Sequence, residues 1–180
     1  RIVSVEVAGD AAVARLHSEF PTHQFDDFVS LLRVGGRWRI VLKVFHRREP
    51  ADAPLPGASQ VDGERKAIRE VLARAFQAMD TGDGARLGST ALGRAQTYAV
   101  DRGELIAVSV PGWQARLDQA RAQGKVRPVA REVDSVDVAT DVAVVRMTHG
   151  QGADRTVAYG SLLKLADGGW KLVGVIYGHA

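Results

Sequence analysis

The chain has 180 residues, 46% of them hydrophobic and 25% charged, with a formal net charge of +3 and no cysteine. This is enough apolar material for one globular core and part of another, and it excludes disulfides, thiolate metal sites and thiol nucleophiles. Basic residues are scattered apart from Arg47-Arg48, so no basic stripe marks a nucleic-acid surface. No apolar run approaches the ~20 residues of a membrane span, and a cytoplasmic location is the default unless a signal peptide precedes Arg1.

In chain order, residues 2–7 and 11–17 read as strands joined by Ala8-Gly9-Asp10. Residues 25–34 and 37–46 form a second hairpin around Gly35-Gly36, a pair suited to positive φ. Nothing in residues 1–49 has helical periodicity. Pro50, Pro54 and Pro56 mark residues 50–61 as a linker. Asp62 is expected to cap a helix to about Met79, whose apolar stripe is Ile68, Val71, Leu72, Ala75, Phe76 and Met79. Thr81-Gly82-Asp83-Gly84 ends that helix and opens a short one at about 84–90. A strand over 94–100 follows, then a helix from a Ser109 cap to about Gln123 with Trp113, Leu117 and Ala120 on one side. Strands close the chain at about 128–138, 142–149, 155–165 and 170–178. Helices first and an antiparallel meander afterwards predict an α+β fold, a curved sheet wrapped on the long helix as a cone with an apolar interior.

The chain also repeats itself. Ser4 to Leu16 returns as Ser135 to Met147, with eight of 13 positions identical at an offset of 131 (135 − 4). Ser30-Leu31-Leu32-Arg33-Val34 matches Ser161-Leu162-Leu163-Lys164-Leu165 at the same offset, and Trp38-Arg39-Ile40-Val41 meets Trp170-Lys171-Leu172-Val173 at 132. That period suits one small domain rather than a solenoid. Residues 1–49 are therefore expected to be the back half of a first copy and residues 62–180 a complete second copy. By the repeat's own arithmetic, a whole first copy would need about 70 residues ahead of Arg1. Strands 2–46 then need a cover: absent helices, the second domain or a partner chain.

The segment Phe76-Gln77-Ala78-Met79-Asp80-Thr81-Gly82-Asp83 forms a helix-to-helix corner, and Asp101-Arg102-Gly103-Glu104-Leu105 precedes Trp113. With the repeated Ser-Leu-Leu-(Arg/Lys)-x-x-Gly-x-Trp hairpin, these residues make the chain resemble the NTF2-like superfamily, which includes ketosteroid isomerases and polyketide cyclases. Within it the chain is similar to the small bacterial lumazine-binding group. The resemblance implies a cone fold and, for the isomerases, a carboxylate base with a tyrosine and a neutral acid as oxyanion hole. Those positions fall here on Ala75, near Ala99 with Asp101 two residues on, and on Ser161. The isomerase machinery is absent as matched.

A small-molecule pocket is still expected, binding an apolar or aromatic ligand and no cofactor. If Ser161 faces the cone, alternation adds Val157, Tyr159 and Leu163, and on the last strand Val173, Val175, Tyr177 and His179. The proposed lining is Tyr98, Trp113, Tyr159, Ser161, Val175, Tyr177 and His179. One alternative is a polyketide-cyclase-like or epoxide-hydrolase-like enzyme using Asp101 or Glu104 with Tyr98 and His179. The other is a structural or dimerisation module whose cone is filled by its own side chains. Arg15 and Arg146 recur at matched positions, either as an anion clamp or, as the alternation favours, on the outer, dimer-facing side of the sheet. No HxH or HExxH spacing occurs among the histidines, so no metal site is predicted. The expected assembly is a homodimer or an intrachain pseudo-dimer through sheet faces.

Overall fold

The computed structural model describes residues 1–49 and 57–178. It has three layers: helices, a six-stranded sheet and a four-stranded sheet. The first sheet is a simple antiparallel meander, β1 (Ile2–Ala8), β2 (Ala11–Glu19), β3 (Gln24–Val34) and β4 (Arg37–Arg48). Helix α1 (Ala58–Thr81) follows, then α2 (Gly84–Thr90), β5 (Ala91–Asp101), β6 (Glu104–Ser109) and α3 (Val110–Ala122). Strands β7 (Arg131–Ala139), β8 (Val142–His149), β9 (Thr156–Lys164) and β10 (Trp170–Gly178) complete the second sheet, in the order β6-β5-β10-β9-β8-β7.

The α+β architecture agrees with the sequence reading, with three local differences. Helix α1 starts at Ala58 behind Gly57, so Asp62 lies inside the helix and the end of the expected linker is helical. Strand β6 was not anticipated; the Arg102-Gly103 turn, both residues at positive φ, folds Leu105-Ile106-Ala107-Val108 back onto β5. Strand β5 pairs in parallel with β10, so the sheet is mixed rather than a pure meander. Elsewhere the local rules held: Ser109 accepts from the Gly112 amide at the start of α3, Asp83 caps α2, and Gly82 ends α1 at φ 67°.

Each face of the second sheet has its own cover. Ile68, Val71, Leu72, Ala75 and Ala78 of α1 pack on Val136, Val138, Ala143, Val145, Met147, Ala158 and Leu162, as the stripe of α1 requires. The alternate residues Ala139, Val142, Val144, Tyr159 and Ile176 turn the other way, against Ala11, Val13, Phe28, Leu32 and Val44 of the first sheet.

Residues related by the 131-residue offset meet each other across this second interface. The Ser30 and Ser161 hydroxyls lie 3.4 Å apart. Arg15 pairs with Asp137 at 2.8 Å, and the offset converts that pair into Arg146 with Glu6, which pair at 2.7 Å. A surface that contacts its own equivalent in this way is isologous, the property of a two-fold interface. The backbone repeats it too: Arg33 N–H donates to Asp10 O and Lys164 N–H to Asp141 O, both at 2.8 Å. Gly9 and Thr140 occupy the same left-handed turn position, at φ 58° and 61°.

The equivalence breaks where it must. Leu42 corresponds to Gly174, and a Cβ on Gly174 would sit 2.8 Å from Leu42 Cδ2 and 3.0 Å from Gln96 O. Two large residues cannot share that place. Gly174→Val is expected to destabilise the fold by about 2 kcal/mol, partly recovered by Leu42→Ala, as read from denaturant midpoints. Double-mutant cycles on Arg15/Asp137 and on Arg146/Glu6 are expected to give favourable couplings of similar size, about 0.5–1 kcal/mol each, since all four groups are partly solvated.

Candidate ligand-binding site

Between α1, α2, α3 and the helix-facing side of the second sheet lies a slot enclosing about 80 Å³. Leu72, Phe76, Met79, Leu87, Met147 and Val175 are among the larger aliphatic and aromatic parts of its wall. A shallow groove of about 630 Å³ next to it is bordered by Val129, Gly150, Gln151, Asp154 and Thr156. His149 and Tyr177 belong to both spaces and stand at the junction.

Three elements place the polar groups in and around the slot. His149 is the last residue of β8 and continues the helix-facing series Ala143, Val145, Met147. Its ring sits edge-on between Phe76 and Tyr177, with centroid distances of 5.9 and 5.4 Å. Burial, and next the positive charge of Arg131, lower its pKa to about 4 against the opposing pull of Asp134, so the imidazole is neutral at pH 7. Burial pushes the Tyr177 hydroxyl upward, so it too stays protonated. Trp113 enters from the first turn of α3, the turn that Ser109 caps and that Pro111 occupies. Arg131 stands opposite His149 in the β7–β8 register, bound to Asp80, with its guanidinium 5.9 Å from the Phe76 ring.

Trp113 Nε1, His149 Nε2 and Arg131 Nε are all buried without a hydrogen-bond partner. Leaving such atoms unpaired costs roughly 1–3 kcal/mol each. The set can donate to carbonyl or ring-nitrogen acceptors, and none of the slot's lining residues is a carboxylate. Carboxylate-driven proton abstraction therefore has no group to perform it inside the slot. Among the described residues no cluster of His, Asp and Glu could hold a metal ion.

The sequence-predicted lining divides between the two faces of the sheet. Trp113, Val175 and Tyr177 line the slot. Tyr159 and Ser161 instead face the first sheet, where the Tyr159 hydroxyl donates to Glu6 at 3.2 Å and Ser161 meets Ser30, and Tyr98 packs in the same inter-sheet cluster. The Tyr159 hydroxyl is pushed up to about 12 by burial and by Glu6. His179 lies outside the described residues.

The physical reason is a bulge between Leu172 and Gly174, which inserts Val173 and reverses the alternation of β10. Val175 and Tyr177 thus stand opposite Gly160 and Ala158, not in the row of Ser161 and Tyr159. Arg146 shares the first-sheet side with them, pairing with Glu6 and Asp134, so it is no anion clamp in the cone. Asp101 and Glu104 are exposed at the β5–β6 turn, which removes the acid–base pair of the enzyme alternative. His149 was the residue missed; one more step along the Ala143, Val145, Met147 alternation would have found it.

A histidine whose folded pKa lies below its unfolded value of about 6.5 stabilises nothing extra above that pH. As pH falls from 6.5 towards 4, the unfolded chain takes up a proton that the fold refuses, and stability is lost. His149→Phe is expected to remove this component, at most about 3 kcal/mol, from the difference between urea stabilities at pH 7 and pH 4. An unchanged difference would show that His149 does not carry it.

Among the described residues no helix is long and apolar enough to cross a membrane. Solved structures share the fold at low identity. An NTF2-like protein of unknown function from Shewanella baltica matches with a TM-score of 0.57 and 21% identity, over 69% of this chain and 98% of its own. One from Silicibacter pomeroyi matches with a TM-score of 0.56 and 21% identity, over 65% of this chain and 96% of its own. A cystatin-like domain of unknown function from Nostoc punctiforme matches with a TM-score of 0.53 and 19% identity, over 66% and 78%. No curated protein matches the chain. The model of the family described as "Putative lumazine-binding" matches residues 1–46 and 63–178, and the chain, which shares the fold of these NTF2-like structures, belongs to that family.

Proposed function

We propose that the chain binds a small, flat, largely apolar molecule bearing hydrogen-bond acceptors, one edge in the slot and the rest across its mouth. The observation that carries this reading is the pair of buried, unpartnered nitrogens of Trp113 and His149 in the lining of a largely apolar slot. A ligand carbonyl or ring nitrogen would complete them. Phe76 and Tyr177 flank His149 with aromatic rings, and His149 supplies a neutral group that donates or accepts according to its tautomer. The slot's ~80 Å³ is far below the ~300 Å³ of an ordinary enclosed pocket, so a bicyclic ring would lie mainly in the outer groove. The family's description names a planar, carbonyl-bearing bicycle, and the donor set suits that chemistry.

The same volume supports a second reading, a cone filled by its own side chains and serving only to hold the fold. In both readings residues 1–49 are the back half of one NTF2-like unit and residues 62–180 a complete one, joined as an intrachain counterpart of a two-fold dimer.

Titrating the protein with lumazine and with 2-naphthoate while following tryptophan fluorescence separates the readings. Ligand binding predicts saturable quenching that Trp113→Phe abolishes and His149→Ala weakens by about tenfold, the size of one buried hydrogen bond. No saturation up to millimolar probe supports the filled cone.

A further inference from the structure

The second sheet is covered on both faces, and the first is covered on one. Its uncovered face carries the same residues, by the 131–132 offset, that α1 buries in the second sheet. Val5 is 57% exposed where Val136 is 8%, Trp38 is 40% exposed where Trp170 is 3%, and Ile40 is 67% exposed where Leu172 is 8%. Val7 and Phe45 lie on the same face and are exposed as well. A contiguous apolar patch of this kind on a sheet face marks an interaction surface.

The patch has a polar detail that says what covers it. In the second sheet, Glu64 on the second turn of α1 accepts from Trp170 Nε1 at 2.7 Å and from Lys164 Nζ at 2.5 Å. Burial raises the Glu64 carboxyl, but those two bonds and the Lys164 charge outweigh it, and the net shift is downward. The offset maps Lys164 and Trp170 onto Arg33 and Trp38. These two are present and preassembled, adjacent across β3–β4 with the Arg33 guanidinium 5.7 Å from the Trp38 ring. Among the described residues no carboxylate pairs with Arg33. Further along β3, opposite Phe45, Asp27 is almost fully buried and bridged to Lys43 at 3.0 Å, with Oδ1 left without a partner.

We infer that this face docks an amphipathic α-helix lying outside residues 1–180. That helix carries an apolar stripe of the Ile68, Val71, Leu72, Ala75 kind and an acidic side chain seated between Arg33 and Trp38. The geometry is that of a helix packed on a sheet, with apolar area as the driving term and the acid as the registration point. A second copy of this chain does not supply the helix, because its α1 is buried on its own second sheet.

The probe is a synthetic peptide of residues 58–81, added in trans to the intact chain and followed through the Trp38 indole N–H resonance, assigned with Trp38→Phe. The expected result is one peptide per chain, a shift of the Trp38 indole and of the Val5 and Ile40 amides, and about tenfold weaker binding for the Glu64→Gln peptide. Arg33→Ala in the chain should weaken the wild-type peptide and leave the Glu64→Gln peptide unchanged. Three results would overturn the inference: no shift at millimolar peptide, equal affinity for the two peptides, or sedimentation showing that the face pairs copies of the chain and releases them on Ile40→Asp.

Discussion

The architecture rests on one constraint: a six-stranded sheet with two apolar faces and helices enough for only one of them. Leu72 and its neighbours on α1 bury Ala143, Val145 and Leu162, while Val142, Val144, Tyr159 and Ile176 must find another cover. The first sheet supplies it with a face of the same sequence pattern. Apolar burial gives that interface its energy and its ion pairs give it direction. Arg15 with Asp137 and Arg146 with Glu6 can both form only when the sheets face each other about the axis on which Ser30 meets Ser161.

This interface also decides where ligand chemistry can occur. Tyr159 and Ser161, two of the polar groups the sequence offered for a pocket, are committed to holding the sheets together. What is left for the helix-facing side is a largely apolar slot with Trp113, His149 and Tyr177 in its lining. Desolvation keeps the histidine neutral and the tyrosine protonated. The slot offers hydrogen-bonding groups in a largely apolar lining, the make-up of a small-molecule pocket.

The two sheets run the same design to different degrees of completion. Where α1 is present, Trp170 and Lys164 are locked onto Glu64 and the apolar positions are dry. Where no helix lies, the equivalent tryptophan stacks with its arginine and the equivalent valine and isoleucine face solvent.

Much of the fold was legible from residues alone. Period-two alternation, Gly35-Gly36, the stripe of α1 and the Ser109 cap each encode local geometry, and the 131-residue offset aligned Ser30 with Ser161 as equivalent positions. The order of elements was enough for the α+β cone. The candidate site was legible only in part. Of the expected lining, Trp113, Val175 and Tyr177 face the slot, whereas Tyr98, Tyr159 and Ser161 pack toward the first sheet. A strand's alternation specifies which residues share a face but not which face meets which neighbour. One inserted residue at Val173 reverses the parity of everything beyond it. Composition and periodicity determined the elements; the bulge and the competition between α1 and the first sheet for the two faces, both long-range packing effects, decided where the polar groups point.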